Sequence, residues 1–155
     1  MKILIAVDSS PDSRQAVEVT SRRPWRSGTS IRVIHVVESF IPPLPDLMGV
    51  GAEAAGREYA ENVARGNELL EEYSGILRDN AESEIEVTSE LITAGYKQSP
   101  EQVIVEEAER DGSDMVVVGS RGLNTWKRVL VGSVSMAVVQ HAPCSVEVIR
   151  AKRHA

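Results

Sequence analysis

Apolar residues gather in five short runs, separated by four stretches whose apolar positions fall at helical spacing. The runs Lys2–Asp8 (KILIAVD) and Met115–Val118 (MVVV) carry no polar break between their ends. Such continuity marks a strand covered on both faces, as in a parallel sheet. Thr29–Glu38 is a further strand, with Ile31, Val33 and His35 on one face. Glu84–Thr93 alternates Ile85 and Val87 with polar neighbours, which predicts a strand near the sheet's edge. Cys144, Val146 and Val148 alternate in the same way and predict a final, terminal strand.

The intervening stretches carry helix signals. Ser9 or Ser10 caps a helix with Pro11 in its first position, where a missing N–H costs nothing, and Pro24 bounds it. In Ala52–Asp79, residues Tyr59, Val63, Gly66, Leu70, Tyr73 and Leu77 recur at alternating steps of four and three, tracing one face of a long helix. Gly66 on that face costs about 1 kcal/mol against alanine, which predicts close packing on the sheet there. Ser99-Pro100-Glu101-Gln102 has the form of a capping box, and Gly112 ends the helix that follows. The last helix runs through Met136–His141 and breaks at Ala142-Pro143. Strand and helix in alternation predict an α/β fold with a doubly wound sheet, whose strand order this pattern alone leaves open.

The totals narrow the class. A chain of 155 residues is about one domain long, read here as residues 1–151 followed by a short basic tail, 152–155. One Phe, two Trp and three Tyr leave the core to Val, Ile, Leu and Ala. A net charge of −6 argues against a nucleic-acid binder, which would present a basic face. The apolar run at the start is broken by Asp8 and is too short for a membrane span or a signal peptide. A single cysteine, Cys144, makes no internal disulfide, which fits a reducing cytoplasm. Ser39–Gly51 holds three prolines, so it reads as a loop that folds over a pocket as a lid or packs through Phe40, Ile41, Leu44, Leu47 and Met48.

The chemistry concentrates in Val116–Ser135 (VVVGSRGLNTWKRVLVGSVS). Gly119 and Gly122 follow a buried strand, and nine residues later Gly132, Ser133, Val134 and Ser135 open a helix. Glycine at the strand's end permits positive φ and a close ligand approach. The unpaired N–H groups of a helix N-terminus favour an anion, most often phosphate. Arg121, Lys127 and Arg128 are the nearest positive charges, with Arg121 inside the turn. Trp126 and Leu130 could pack on the domain or a second subunit. Asp8 ends the first strand, at the sheet edge where ligands bind in open α/β folds.

The spacing Gly119-x2-Gly122-x9-Gly132-Ser133 resembles the nucleotide-binding signature of universal stress proteins. That resemblance implies a five-stranded parallel sheet in the order 3-2-1-4-5, with helices on both faces. It implies ATP, or AMP or ADP, as the ligand, with Asp8 beside it and able to help hold Mg or Mn. The contacts would come from Ala6, Val7, Asp8, Val36, Val118, Gly119, Arg121, Gly122, Gly132, Ser133, Val134 and Ser135, with Val36 meeting adenine through its backbone. A homodimer through the C-terminal strand is also implied, with no membrane and no nucleic acid as partner.

Other phosphate readers fit less well. No lysine follows a glycine pair as GxxxxGK[ST] requires, GxGxxG does not occur, and Gly119-Ser120-Arg121-Gly122 is not a hydrolase elbow. No second His or Cys stands at metal-ligand spacing. No acid and base are paired for turnover, so the chain reads as a binding module more than an enzyme. Two alternatives stay open: a nucleotide-free dimer acting through protein contacts, and a slow ATP hydrolase.

Overall fold

The computed structural model describes residues 1–39, 50–80, 84–121 and 131–152. Their element order is β1 (Lys2–Ala6), α1 (Pro11–Ser21), β2 (Thr29–Val37), α2 (Val50–Asp79), β3 (Ile85–Thr93), α3 (Pro100–Asp111), β4 (Met115–Gly119), α4 (Ser133–His141) and β5 (Ser145–Ile149). The strands form one parallel sheet in the order β3-β2-β1-β4-β5, as the family resemblance implies. β3 and β5 are its edges.

The unbroken apolar run of β1 is explained by burial on both sides. Ile3, Ile5 and Val7 face one core with Ala16 and Val17 of α1 and Leu70, Tyr73 and Leu77 of α2. Leu4 and Ala6 face a second core with Ile104 and Ala108 of α3 and Val138 of α4. Both cores are almost entirely aliphatic, as the scarcity of aromatic residues requires. Fully burying each such side chain contributes roughly 1.5–3 kcal/mol.

The helix signals act locally as the sequence predicts. Ser10 is the N-cap of α1, its hydroxyl accepting from Ser13 N at 3.2 Å. Gln102 Oε1 accepts from Ser99 N at 2.9 Å in the first turn of α3. Gly112 closes that helix at φ +60°, a left-handed conformation that glycine adopts without strain. β1 ends at Ala6, two residues earlier than the apolar pattern suggests. Val7 N still bonds to Ile34 O at 2.9 Å, but Asp8 N turns to Ser13 Oγ at 2.9 Å as the chain enters α1.

Polar ties fix α3 on the sheet. Arg32, in the middle of β2, pairs with Glu90 of β3 and with Glu107 and Asp111 of α3. Glu107 is buried and pairs with Arg110 as well. On the other face, Arg23 pairs with Glu147 of β5 and lies over the Trp25 ring. No helix among the described residues is long and apolar enough to cross a membrane.

At Gly66, α2 lies close against the sheet. A Cβ there would lie 2.6 Å from His35 Cδ2 and 2.7 Å from Leu91 Cδ1. The His35 ring cannot swing aside freely, because Nδ1 is bonded to Val7 O at 2.7 Å. Gly75, on the same helix, has open space around it. We therefore expect Gly66→Ala to lose about 1–3 kcal/mol of stability despite alanine's better helix propensity. Gly75→Ala should gain roughly 0.5–1 kcal/mol. Urea midpoints of the two variants check both signs.

Candidate functional site

β1 and β4 are neighbours, but their following helices leave to opposite faces of the sheet. The crevice this opens at their carboxyl ends is the ligand position of open α/β sheets. It holds a cavity of about 520 Å³, within the range of small-molecule sites. β1 and the turn after it supply Ala6, Val7 and Asp8. β2 supplies Val36, and β4 and its extension supply Val118, Gly119 and Arg121. Gly132, Ser133, Val134 and Ser135 line it from the start of α4. The structure thus brings together every predicted site residue except Gly122. That residue lies outside the described residues, with Trp126, Lys127, Arg128, Leu130 and the loop residues Phe40, Ile41, Leu44, Leu47 and Met48.

The electrostatic focus of the crevice is the N-terminus of α4. Gly132 is its N-cap and has no side chain with which to satisfy the first turn. The first helical bond runs from Met136 N to Gly132 O at 2.9 Å. The N–H groups of Ser133, Val134 and Ser135 therefore have no acceptor inside the helix. Together with the helix dipole they form a positive end that suits an anion. Ser133 is exposed there.

Three site residues work differently from the sequence-based expectation. Among the described glycines only Gly28 and Gly112 have positive φ, so neither Gly119 nor Gly132 uses left-handed freedom. What Gly119 permits is contact with α1. A Cβ there would lie 2.8 Å from Ser13 N and 2.9 Å from Asp12 C, so the absent side chain makes room for the helix backbone. Ser135 is buried and its hydroxyl donates to Gly119 O at 2.6 Å, committing its proton to β4. Arg121 lines the cavity, but its Nε also donates to Asp12 at 3.4 Å.

Asp8 is half-buried at the cavity wall, and its Oδ1 accepts from Ser10 N at 3.0 Å. It is at once a turn residue and a carboxylate facing the crevice. Glu38 and Glu101 add two more acidic groups to the lining. Among the described residues no cluster of three or more His, Cys, Asp or Glu is placed to hold a metal ion. A divalent ion here would need oxygen ligands from something else, such as a polyphosphate. His35 packs against α2, as its place on the strand predicts, and also lines the cavity floor.

A model of the universal stress protein family matches residues 1–150. The chain belongs to that family. A curated protein of Staphylococcus epidermidis named as a universal stress protein is 28% identical over 149 residues, covering 96% of this chain and 82% of that one. The fold is shared with the hypothetical protein MJ0577 at a TM-score of 0.79 and 21% identity, covering 99% of this chain and 97% of that one. A universal stress protein of Arabidopsis thaliana, solved with AMP bound, superposes at a TM-score of 0.67 and 25% identity, covering 98% and 92% of the two chains.

Sequence reasoning missed Asp12. It is the second residue of α1 and is only 4% exposed. Its carboxylate accepts from Ser120 Oγ, Arg121 Nε and Ala151 N, whose positions lie more than a hundred residues away in sequence. Only the fold reveals those partners. Burial works to raise its pKa, but the Ser120 hydroxyl, the Ala151 N–H and the Arg121 charge outweigh it and hold the carboxyl below its ordinary value.

A carboxyl with a depressed folded pKa contributes stability that is present above its unfolded pKa and lost as pH falls through the folded one. Asp12→Asn should therefore cost about 1–3 kcal/mol at pH 7. The gap between variant and parent should shrink below about pH 4. Denaturant titrations at several pH values measure it, and a gap unchanged down to pH 2 would contradict this account of Asp12.

Proposed function

We propose that this universal stress protein is an adenine-nucleotide sensor that binds ATP, or ADP or AMP, in the β1–β4 crevice. The observation that carries the reading is the uncapped start of α4, opening into a cavity of about 520 Å³. The phosphates would lie on the main chain at Gly119, Gly122 and Gly132–Ser135, with Arg121 supplying charge. Adenine would meet the backbone of Val36, whose carbonyl and N–H can pair with the base edge whatever the side chain. Ala6, Val7 and Val118 would floor the site. AMP in the Arabidopsis relative supports an adenylate as the ligand class.

Asp8, with Glu38 and Glu101 nearby, disfavours a bare polyanion in the same cavity. Mg or Mn arriving with the nucleotide removes that conflict, and Asp8 would take its outer side. Charge-assisted hydrogen bonds contribute roughly 1.5–3 kcal/mol each. Three or four of them, after ordering costs, reach about −4 kcal/mol, a millimolar site. The protein's role would be signalling through occupancy, without required turnover. As one domain over residues 1–151 it would act in the cytoplasm as a homodimer, pairing through β5, which has only β4 as a neighbour in the sheet.

Calorimetry should detect ATP binding to the purified protein at millimolar or tighter affinity. Gly132→Val would place a branched side chain at the helix cap and should abolish retention while circular dichroism stays native. Undiminished ATP binding by that variant would overturn the site.

A further inference from the structure

Asp12 does not line the crevice; it stands behind its wall and touches two separate parts of the chain. Oδ2 accepts from Ser120 Oγ and from Arg121 Nε at 3.4 Å, both directly after β4. Oδ1 accepts from Ala151 N at 3.1 Å, just beyond β5. Backbone bonds extend the same junction. Ser120 N donates to Ile149 O at 2.6 Å, and Gly132 N donates to Ser120 O at 2.6 Å. The two oxygens of one buried carboxylate thus join the basic wall of the pocket to the end of an edge strand, while Ser120 joins both to the cap of α4.

We propose that Asp12 is a positioning residue that couples the crevice to the end of β5, holding Arg121 through one oxygen and the main chain at Ala151 through the other. A carboxylate is suited to the task because it accepts from several donors at once and fixes their relative positions. Arg121, which lines the cavity, approaches Asp12 through Nε, so its two terminal nitrogens take no part in that bond. Any anion that draws the guanidinium into the cavity competes with Asp12 for it and loosens the orientation that Ala151 depends on. This consequence rests on the crevice being an anion site; the coupling itself does not. Occupancy of the pocket is then felt at the edge of the sheet, which is the surface a partner strand would meet.

The test is a double-mutant cycle read by amide hydrogen exchange at Ala151, without any nucleotide. Arg121→Gln should speed exchange at Ala151 by roughly threefold to tenfold, although the two residues lie thirty positions apart in sequence. Asp12→Asn should speed it at least as much, and the double variant should exchange no faster than Asp12→Asn alone. Exchange that is unchanged or slower in Arg121→Gln overturns the coupling, and so do effects that multiply in the double variant. Should Asp12→Asn not fold, Ser120→Ala takes its place in the cycle, because Ser120 and Arg121 share Oδ2 and must show the same non-additivity. Nucleotide affinity plays no part in this readout, so its failure is distinct from failure of the nucleotide reading.

Discussion

The site depends on a backbone-to-backbone contact between the end of β4 and the first turn of α1. With no side chain at Gly119, Ser13 N and Asp12 C come within 2.8 and 2.9 Å of where a Cβ would stand. That approach brings Asp12 into reach of Ser120 and Arg121 and defines one wall of the crevice. The opposite wall is α4, anchored by the Ser135 hydroxyl on the carbonyl of the same glycine. A single position therefore sets the separation of the two helices that leave the sheet in opposite directions.

Around this junction the interior changes character. Most of the core is aliphatic and non-directional, and it fixes the sheet without specifying a ligand. At the carboxyl ends of β1 and β4 the buried polar residues are Ser10, Asp12, Ser13, Ser120 and Ser135, a layer in and behind the cavity wall. Each has a hydrogen-bond partner, so the layer holds its members in place at little net cost. Among the described residues its bonds do not use the N–H groups at the start of α4, and those are the groups an anion would use. Arg32 and its acidic partners do a related task further down the sheet, fixing α3 so that Glu101 and Ile104 reach the cavity rim.

Much of this was legible in the sequence because it is local. Unbroken apolar runs, Ser10-Pro11, Gly112 and the spacing from Gly119 to Gly132 report backbone state within a few residues, and the elements appear where they predict, with ends shifted by a residue or two. The strand order needed the family resemblance, since pairing partners are set by long-range packing. Side-chain partnerships between distant parts of the chain were not legible. Ser135 reads as a ligand hydroxyl but binds the main chain of β4, and nothing local in the sequence marks Asp12, which is buried among distant donors. Gly119 was found for a reason that the structure replaces: its value lies in helix approach, whatever the ligand does.

The central claim is that main-chain amides at the start of α4 receive phosphate. It is tested most directly by following the backbone amide resonances of Ser133, Val134 and Ser135 while ATP, and separately adenosine, is added. The account predicts large, saturable shifts at these three amides with ATP and much smaller ones with adenosine, which has no phosphate to offer them. Equal shifts with both ligands, or ATP shifts confined to other parts of the chain, would contradict it.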